Sequence, residues 1–100
     1  MIKVQLKAIP SLSNLFNESG AEWIILEREM VDGCSIADLL ADISESYAGF
    51  RKIAFDPDTG KVSDQLDIVH NDKLLPSSDV TEIELKNGDV IILLPTYTGG

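Results

Sequence analysis

Residues Asn87 to Gly100, NGDVIILLPTYTGG, decide how this chain is read. Asn87-Gly88 is a turn signal, Val90 to Leu94 is an apolar run of strand length, and Pro95 has no N–H to give to a sheet ladder. The pattern predicts a final strand that stops at Leu94. Pro95 to Gly100 carries no periodicity and nothing large after Tyr97, so it is expected to be a tail projecting from a folded body. Six extended residues reach about 20 Å.

A C-terminal glycine carboxylate is the least hindered carboxylate a polypeptide offers, because no side chain flanks its carbonyl carbon. Two glycines in succession also adopt backbone angles closed to other residues, so they can thread a narrow channel. With glycine at about 7% of average usage, a terminal pair arises by chance about 0.5% of the time. The pair is therefore read first as a chemical group and second as an accident of composition.

Outward from this segment, the chain has 100 residues, 44% of them hydrophobic, with 17 acidic against 8 basic side chains and a formal charge of −9. One compact domain, residues 1–94, is the natural reading, with 95–100 as its tail. A body of this size has little room for both a core and a deep enclosed active site, which weighs against an autonomous enzyme. The acidic excess opposes nonspecific nucleic-acid binding. It keeps the domain soluble and, where it marks a partner, marks a basic one. Cys34 is the only cysteine, so neither an internal disulfide nor a cysteine zinc cluster can form, and a reducing, cytoplasmic setting is expected. The opening MIKVQLKAIP alternates and lacks the pattern of a leader, and no run approaches membrane-spanning length.

Ile2, Val4, Leu6 and Ala8 alternate with polar residues and predict a first strand with one face on the core. Pro10 interrupts it, and Ser11 to Gly20 reads as a loop with a single helical turn. Glu22 to Met30 is the second strand. Ile36, Leu39, Leu40, Ile43 and Tyr47 share one helical face, Ser35 with Asp38 resembles a capping box, and Gly49 is the expected stop. Phe50 to Phe55 fits either a short helix or a strand, and Asp56 to Gly60 is turn chemistry that predicts a hairpin excursion. Leu66 to His70 is a strand, Asn71-Asp72 a turn, Lys73 to Leu75 a short return strand, and Pro76 to Asp79 a loop. The first and last strands are the most apolar, so they are placed in the centre of a mixed sheet as a parallel pair. The fold class is α+β: a β-grasp architecture of four to five strands with one main helix packed across it.

An N-terminal MIKV strand, a capped SIADLL helix, a DKLLP segment and KNGDVIILLP followed by a glycine pair resemble the ubiquitin-like sulfur carriers. The likeness covers nearly the whole chain in element order and is greatest to the small subunit of molybdopterin synthase (MoaD-like), with ThiS-like thiamin-pathway carriers more distant. It implies that the Gly100 carboxylate is adenylated by an activating enzyme using ATP and then converted to a thiocarboxylate that donates sulfur. It also implies an adenylating enzyme, a sulfur donor and a synthase large subunit as partners, with no stably bound cofactor, no metal, no nucleic acid and no membrane. Pro95, Thr96, Tyr97, Thr98 and Gly99 are then the residues held in the partner's groove. Thr96 stands where that subunit has a second proline, and Tyr97 where it has a smaller apolar residue. In these features the tail partly resembles the ubiquitin-related modifier of tRNA thiolation and protein conjugation. A β-grasp interaction module with incidental glycines is the remaining alternative.

The sheet face not covered by the helix is expected to dock partners, and the parity of Val90, Ile92 and Leu94 against Ile91 and Leu93 is left open. Cys34 near a helix start is read as a small buried filler before a reactive thiol. His70 has no companion at ligand spacing, Trp23 belongs to the core or sheet surface, and Asp56, Asp58 and Asp64 are solvated turn residues. Gly88 is expected to serve a positive backbone angle.

Overall fold

A computed structural model describes residues 1–17, 20, 22–63, 66–75 and 79–95. The N-terminal alternation becomes β1 (Ile2–Ala8), which buries Val4, Leu6 and Ala8. β2 (Ile24–Met30) returns antiparallel to it, from Ile2 opposite Met30 to Ala8 opposite Ile24. It starts later than the expected Glu22 because β1 ends at Ala8, leaving Glu22 and Trp23 no strand to pair with. β3 (Leu66–His70) and β4 (Lys73–Leu75) form a hairpin. Its turn residues Asn71 and Asp72 both have positive φ, 49° and 73°, the geometry whose twist matches a two-residue hairpin.

β5 (Val90–Pro95) lies between β1 and β3 in the sheet order β2-β1-β5-β3-β4. It runs parallel to β1, Gln5 opposite Val90 through Ala8 opposite Leu93, and antiparallel to β3. The central parallel pair expected from the apolar content is therefore present. The strand does not stop at Leu94. Leu94 and Pro95 continue the ladder with Asp67 and Leu66, beyond the point where β1 has ended. A proline is tolerated where its strand has one described neighbour instead of two. Residues 76–78, Asp64 and Thr96 to Gly100, for which a loop, a solvated turn position and a tail are expected, lie outside the described residues.

α1 (Ile36–Ser46) has Ser35 as N-cap: the Asp38 N–H donates to Ser35 Oγ at 3.2 Å, and the Ser35 N–H donates back to Asp38 Oδ2 at 2.9 Å. Ile36, Leu39, Leu40 and Ile43 are buried against the inner sheet face formed by Val4, Leu6, Ile68, Ile91 and Leu93. Arg28 on β2 reaches Asp42 on α1 at 3.4 Å, tying the edge strand to the helix. The helix ends before Gly49. Tyr47 turns to extended angles, φ −134° and ψ 99°, and α2 (Ala48–Ala54) begins at once with Gly49 inside it. The cause is aromatic packing, with Tyr47 edge-on to Phe16 at 5.3 Å and Phe50 stacked on Phe16 at 5.2 Å. Phe16 closes the 3-10 helix Pro10–Phe16, so α2 and this turn form a second, smaller cover beside the main helix. Phe50 to Ala54 is thus helical, while Phe55 bridges Val62 across the expected hairpin.

The start of β5 is held by a buried carboxylate. Asp89 accepts from the Lys86 N–H at 2.9 Å and from Asn71 Nδ2 at 3.0 Å, and its Oδ2 lies 2.9 Å from His70 Nε2. Asn71 in turn accepts the Val90 N–H through Oδ1 at 3.1 Å. Gly88, at φ +89° with open space where a Cβ would sit, makes the preceding turn, as its sequence position predicts. Burial alone would raise the Asp89 pKa. The Asn71, His70 and Lys86 hydrogen bonds outweigh it and hold the carboxyl below its ordinary value.

Ser35→Ala is expected to cost about 1 kcal/mol and to lower the melting temperature by about 4–8 °C, read by thermal unfolding. Asp89→Asn is expected to cost about 1–3 kcal/mol at neutral pH. Because the folded carboxyl titrates below the unfolded one, its stabilisation is complete above the ordinary carboxylate range and is lost as pH falls through the lowered folded value. Denaturant unfolding from pH 7 down to about pH 3 should show the gap between native and variant closing. A gap that stays constant or widens would contradict the assignment.

Candidate functional site

The sheet has a covered face and an open one, and register decides what the open one contains. On β5, Ile91 and Leu93 point into the core, which assigns Val90, Ile92 and Leu94 to the open face. Ile92 is opposite Lys7 on β1 and Val69 on β3; Lys7 is opposite Ile25 on β2, and Val69 is opposite Leu74 on β4. One row, Ile25–Lys7–Ile92–Val69–Leu74, therefore crosses all five strands. Its two ends, Ile25 and Leu74, are 57% and 63% exposed, apolar surface that burial against another surface would stabilise. Trp23, just before β2, is exposed as well, placing it at the sheet surface and outside the core.

Leu94 and Pro95 follow this row directly on β5, so the last described residues lie beside it. Of the residues expected to engage a partner, Pro95 is the last of β5 and half-buried. Thr96, Tyr97, Thr98, Gly99 and Gly100 lie outside the described residues. Ile25, Val69, Leu74 and Lys7 were not singled out by sequence reasoning. Alternation within each segment places them on a face, but their meeting in one row depends on strand order and register.

The other residues singled out fall elsewhere. Cys34 is buried just before the N-cap of α1, where burial first, then the charges of Asp38, Glu84 and Asp32, push its thiol pKa up against an opposing backbone hydrogen bond. That environment suppresses the thiolate and makes Cys34 a packing residue. His70 belongs to the Asp89 network at the end of β5 remote from Pro95; six residues of strand separate the two ends, about 20 Å. Asp56 and Asp58 serve their own hairpin, the Asp58 N–H donating to Asp56 Oδ1 at 2.8 Å. Among the described residues no group of acidic, histidine or cysteine side chains is arranged to hold a metal ion, and no helix is long and apolar enough to cross a membrane.

Solved structures share this fold across almost their whole length. SAMP1 of Haloferax volcanii superposes with a TM-score of 0.72 at 16% identity, covering 98% of this chain and 99% of its own. A Pyrococcus furiosus protein described as molybdopterin converting factor, subunit 1, gives 0.68 at 22%, covering 97% and 100%. The Amycolatopsis orientalis BexX/CysO complex contains a chain at 0.67 and 21%, covering 97% and 99%. These identities establish a ubiquitin-like β-grasp fold. No curated protein matches the sequence. The ThiS family model matches residues 17–100, from the end of the 3-10 helix through the glycine pair, and on that match this chain belongs to the ThiS family of ubiquitin-like sulfur carriers.

Proposed function

We propose that this chain is a sulfur carrier activated at Gly100, and that it serves as the small subunit of a molybdopterin synthase. The observation that carries this reading is a family match running through Gly99-Gly100, which follow in sequence the strand that holds the centre of the open row and ends at Pro95. The residues 96–100 span at most about 17 Å, so a protein that holds Gly100 must lie against the body near Pro95.

The chemistry needs little from the carrier itself. A carboxylate resists nucleophiles, so one of its oxygens first attacks the α-phosphorus of ATP and pyrophosphate departs. A sulfur nucleophile then attacks the acyl carbon, and AMP leaves with the C–O electron pair. The terminal acid keeps its carbon and gains sulfur in place of one oxygen. Glycine at this position leaves both sides of the carbonyl open to attack. Nucleotide, metal and transition-state charge stabilisation belong to the adenylating partner, and a cytoplasmic setting supplies that enzyme and its ATP. The carrier contributes a reachable acyl group and a rigid surface that positions it, an application of the rule that function resides in a site grafted on a fold.

Deleting Gly100 is expected to leave thermal unfolding unchanged and to abolish ATP–pyrophosphate exchange with the adenylating enzyme of the same organism; exchange that persists would refute the reading. With ATP and a sulfur source, the intact mass should shift by the difference between sulfur and oxygen, and transfer to a pterin-binding large subunit should follow. Branched peptides through Gly100 in a digest would identify a protein modifier instead. Ile92→Asp and Val69→Asp, each placing a charge in the open row, are expected to weaken binding to that enzyme at least about tenfold, or about 1.4 kcal/mol. Unchanged melting temperatures would confirm that docking and not folding was lost.

A further inference from the structure

We propose, resting on the carrier reading above, that Lys7 is the charged anchor of the open sheet face and that the protein activating the tail presents a carboxylate to it. On β1 the open-face residues are Lys3, Gln5 and Lys7, and two of the three have polar counterparts across the β1–β2 ladder. Lys3 is opposite Glu29, and Gln5 is opposite Glu27, to which its Nε2 donates at 3.3 Å. Lys7 breaks the series. Its neighbours in register are Ile25 on one side and Ile92 on the other, and no hydrogen bond or ion pair links it to another described residue. Glu27, diagonal to Lys7, accepts from Gln5.

A half-buried lysine whose ammonium still reaches water needs no partner, so the free chain makes no demand for one. The demand arises when the row is covered. Ile92 precedes Pro95 by three residues on the same strand and sits opposite Lys7, so a protein that receives the tail while seated on the open face at Pro95 covers Ile92, and with it Lys7. Lys7 is second in a row of five, flanked by apolar side chains on both sides and already half-buried, so it is not a rim residue. Its stem can lie along the isoleucines, but its ammonium then loses water. An unpaired buried cation is strongly unfavourable, and a carboxylate within hydrogen-bond reach offsets that penalty by a charge-assisted bond. The surrounding chain is acidic, with net charge −9, so an acidic contact point in a partner for this chain is a specific discriminator and not a product of bulk charge.

The test uses the adenylating enzyme that supports Gly100-dependent ATP–pyrophosphate exchange, with native chain, Lys7→Met, Lys7→Glu and Ile92→Asp as substrates. Lys7→Met keeps the stem and removes the charge. It is expected to raise the KM for the carrier about 30-fold with kcat unchanged, and Lys7→Glu to raise it further. The native KM should rise with ionic strength over a range in which that of Lys7→Met stays flat. A Lys7→Met chain with a native or lower KM, while Ile92→Asp remains impaired, would overturn the anchor and leave the carrier reading standing. If Ile92→Asp is also native, the open face is not the docking surface and the anchor falls with it. If the native chain supports no exchange, both the carrier reading and the anchor are refuted.

Discussion

The parallel pairing of β1 with β5 is the constraint on which the rest of this molecule depends. Two parallel neighbours cannot be joined by a turn, so the chain between them must cross from one end of the sheet to the other. β2, α1, α2 and the β3–β4 hairpin fill that path, and α1 crosses one face of the sheet on the way. The pairing also places the last strand in the centre, with β1 on one side and β3 on the other. The last described strand is thus an interior strand of the sheet and not an edge.

That arrangement separates the two faces of the sheet. The inner face carries stability: Ile91 and Leu93 are fully buried with Leu6, Ile36, Leu39 and Ile43. The outer face is spared that task, since Ile92 lies on the same strand but belongs to a row that no described element covers. At the start of β5, Asp89 joins the 86–89 turn to the β3–β4 hairpin through hydrogen bonds to Lys86, Asn71 and His70. This clamp lies a full strand length from Pro95, which is itself paired with Leu66 at the other end of the strand.

His70 and Cys34 show why reactive residue types are poor guides when read singly. Each is a residue that performs chemistry elsewhere, yet here one is a partner of a structural carboxylate and the other a thiol whose ionisation is suppressed by burial and three nearby acids. Lys7 is the converse. Nothing about a lysine in an alternating strand marks it, and its interest comes entirely from the isoleucines beside it.

From residue order alone came the β-grasp class, the capped α1 with its apolar stripe, the central parallel pair and the glycine-terminated segment. Each follows from local periodicity, capping chemistry, the apolar content of a segment or residue identity itself, and these are carried by near neighbours in the chain. Where the reading erred, a distant contact overruled a local signal. Gly49 does not end α1, because Tyr47 and Phe50 are drawn to Phe16, more than thirty positions earlier. Pro95 extends β5, because Leu66 is there to pair with and β1 is not. The composition of the open row, the Asp89 clamp and the isolation of Lys7 were decided only by tertiary structure. All three depend on which strands are neighbours and in which register, and strand register is a property of the assembled sheet that no single segment encodes.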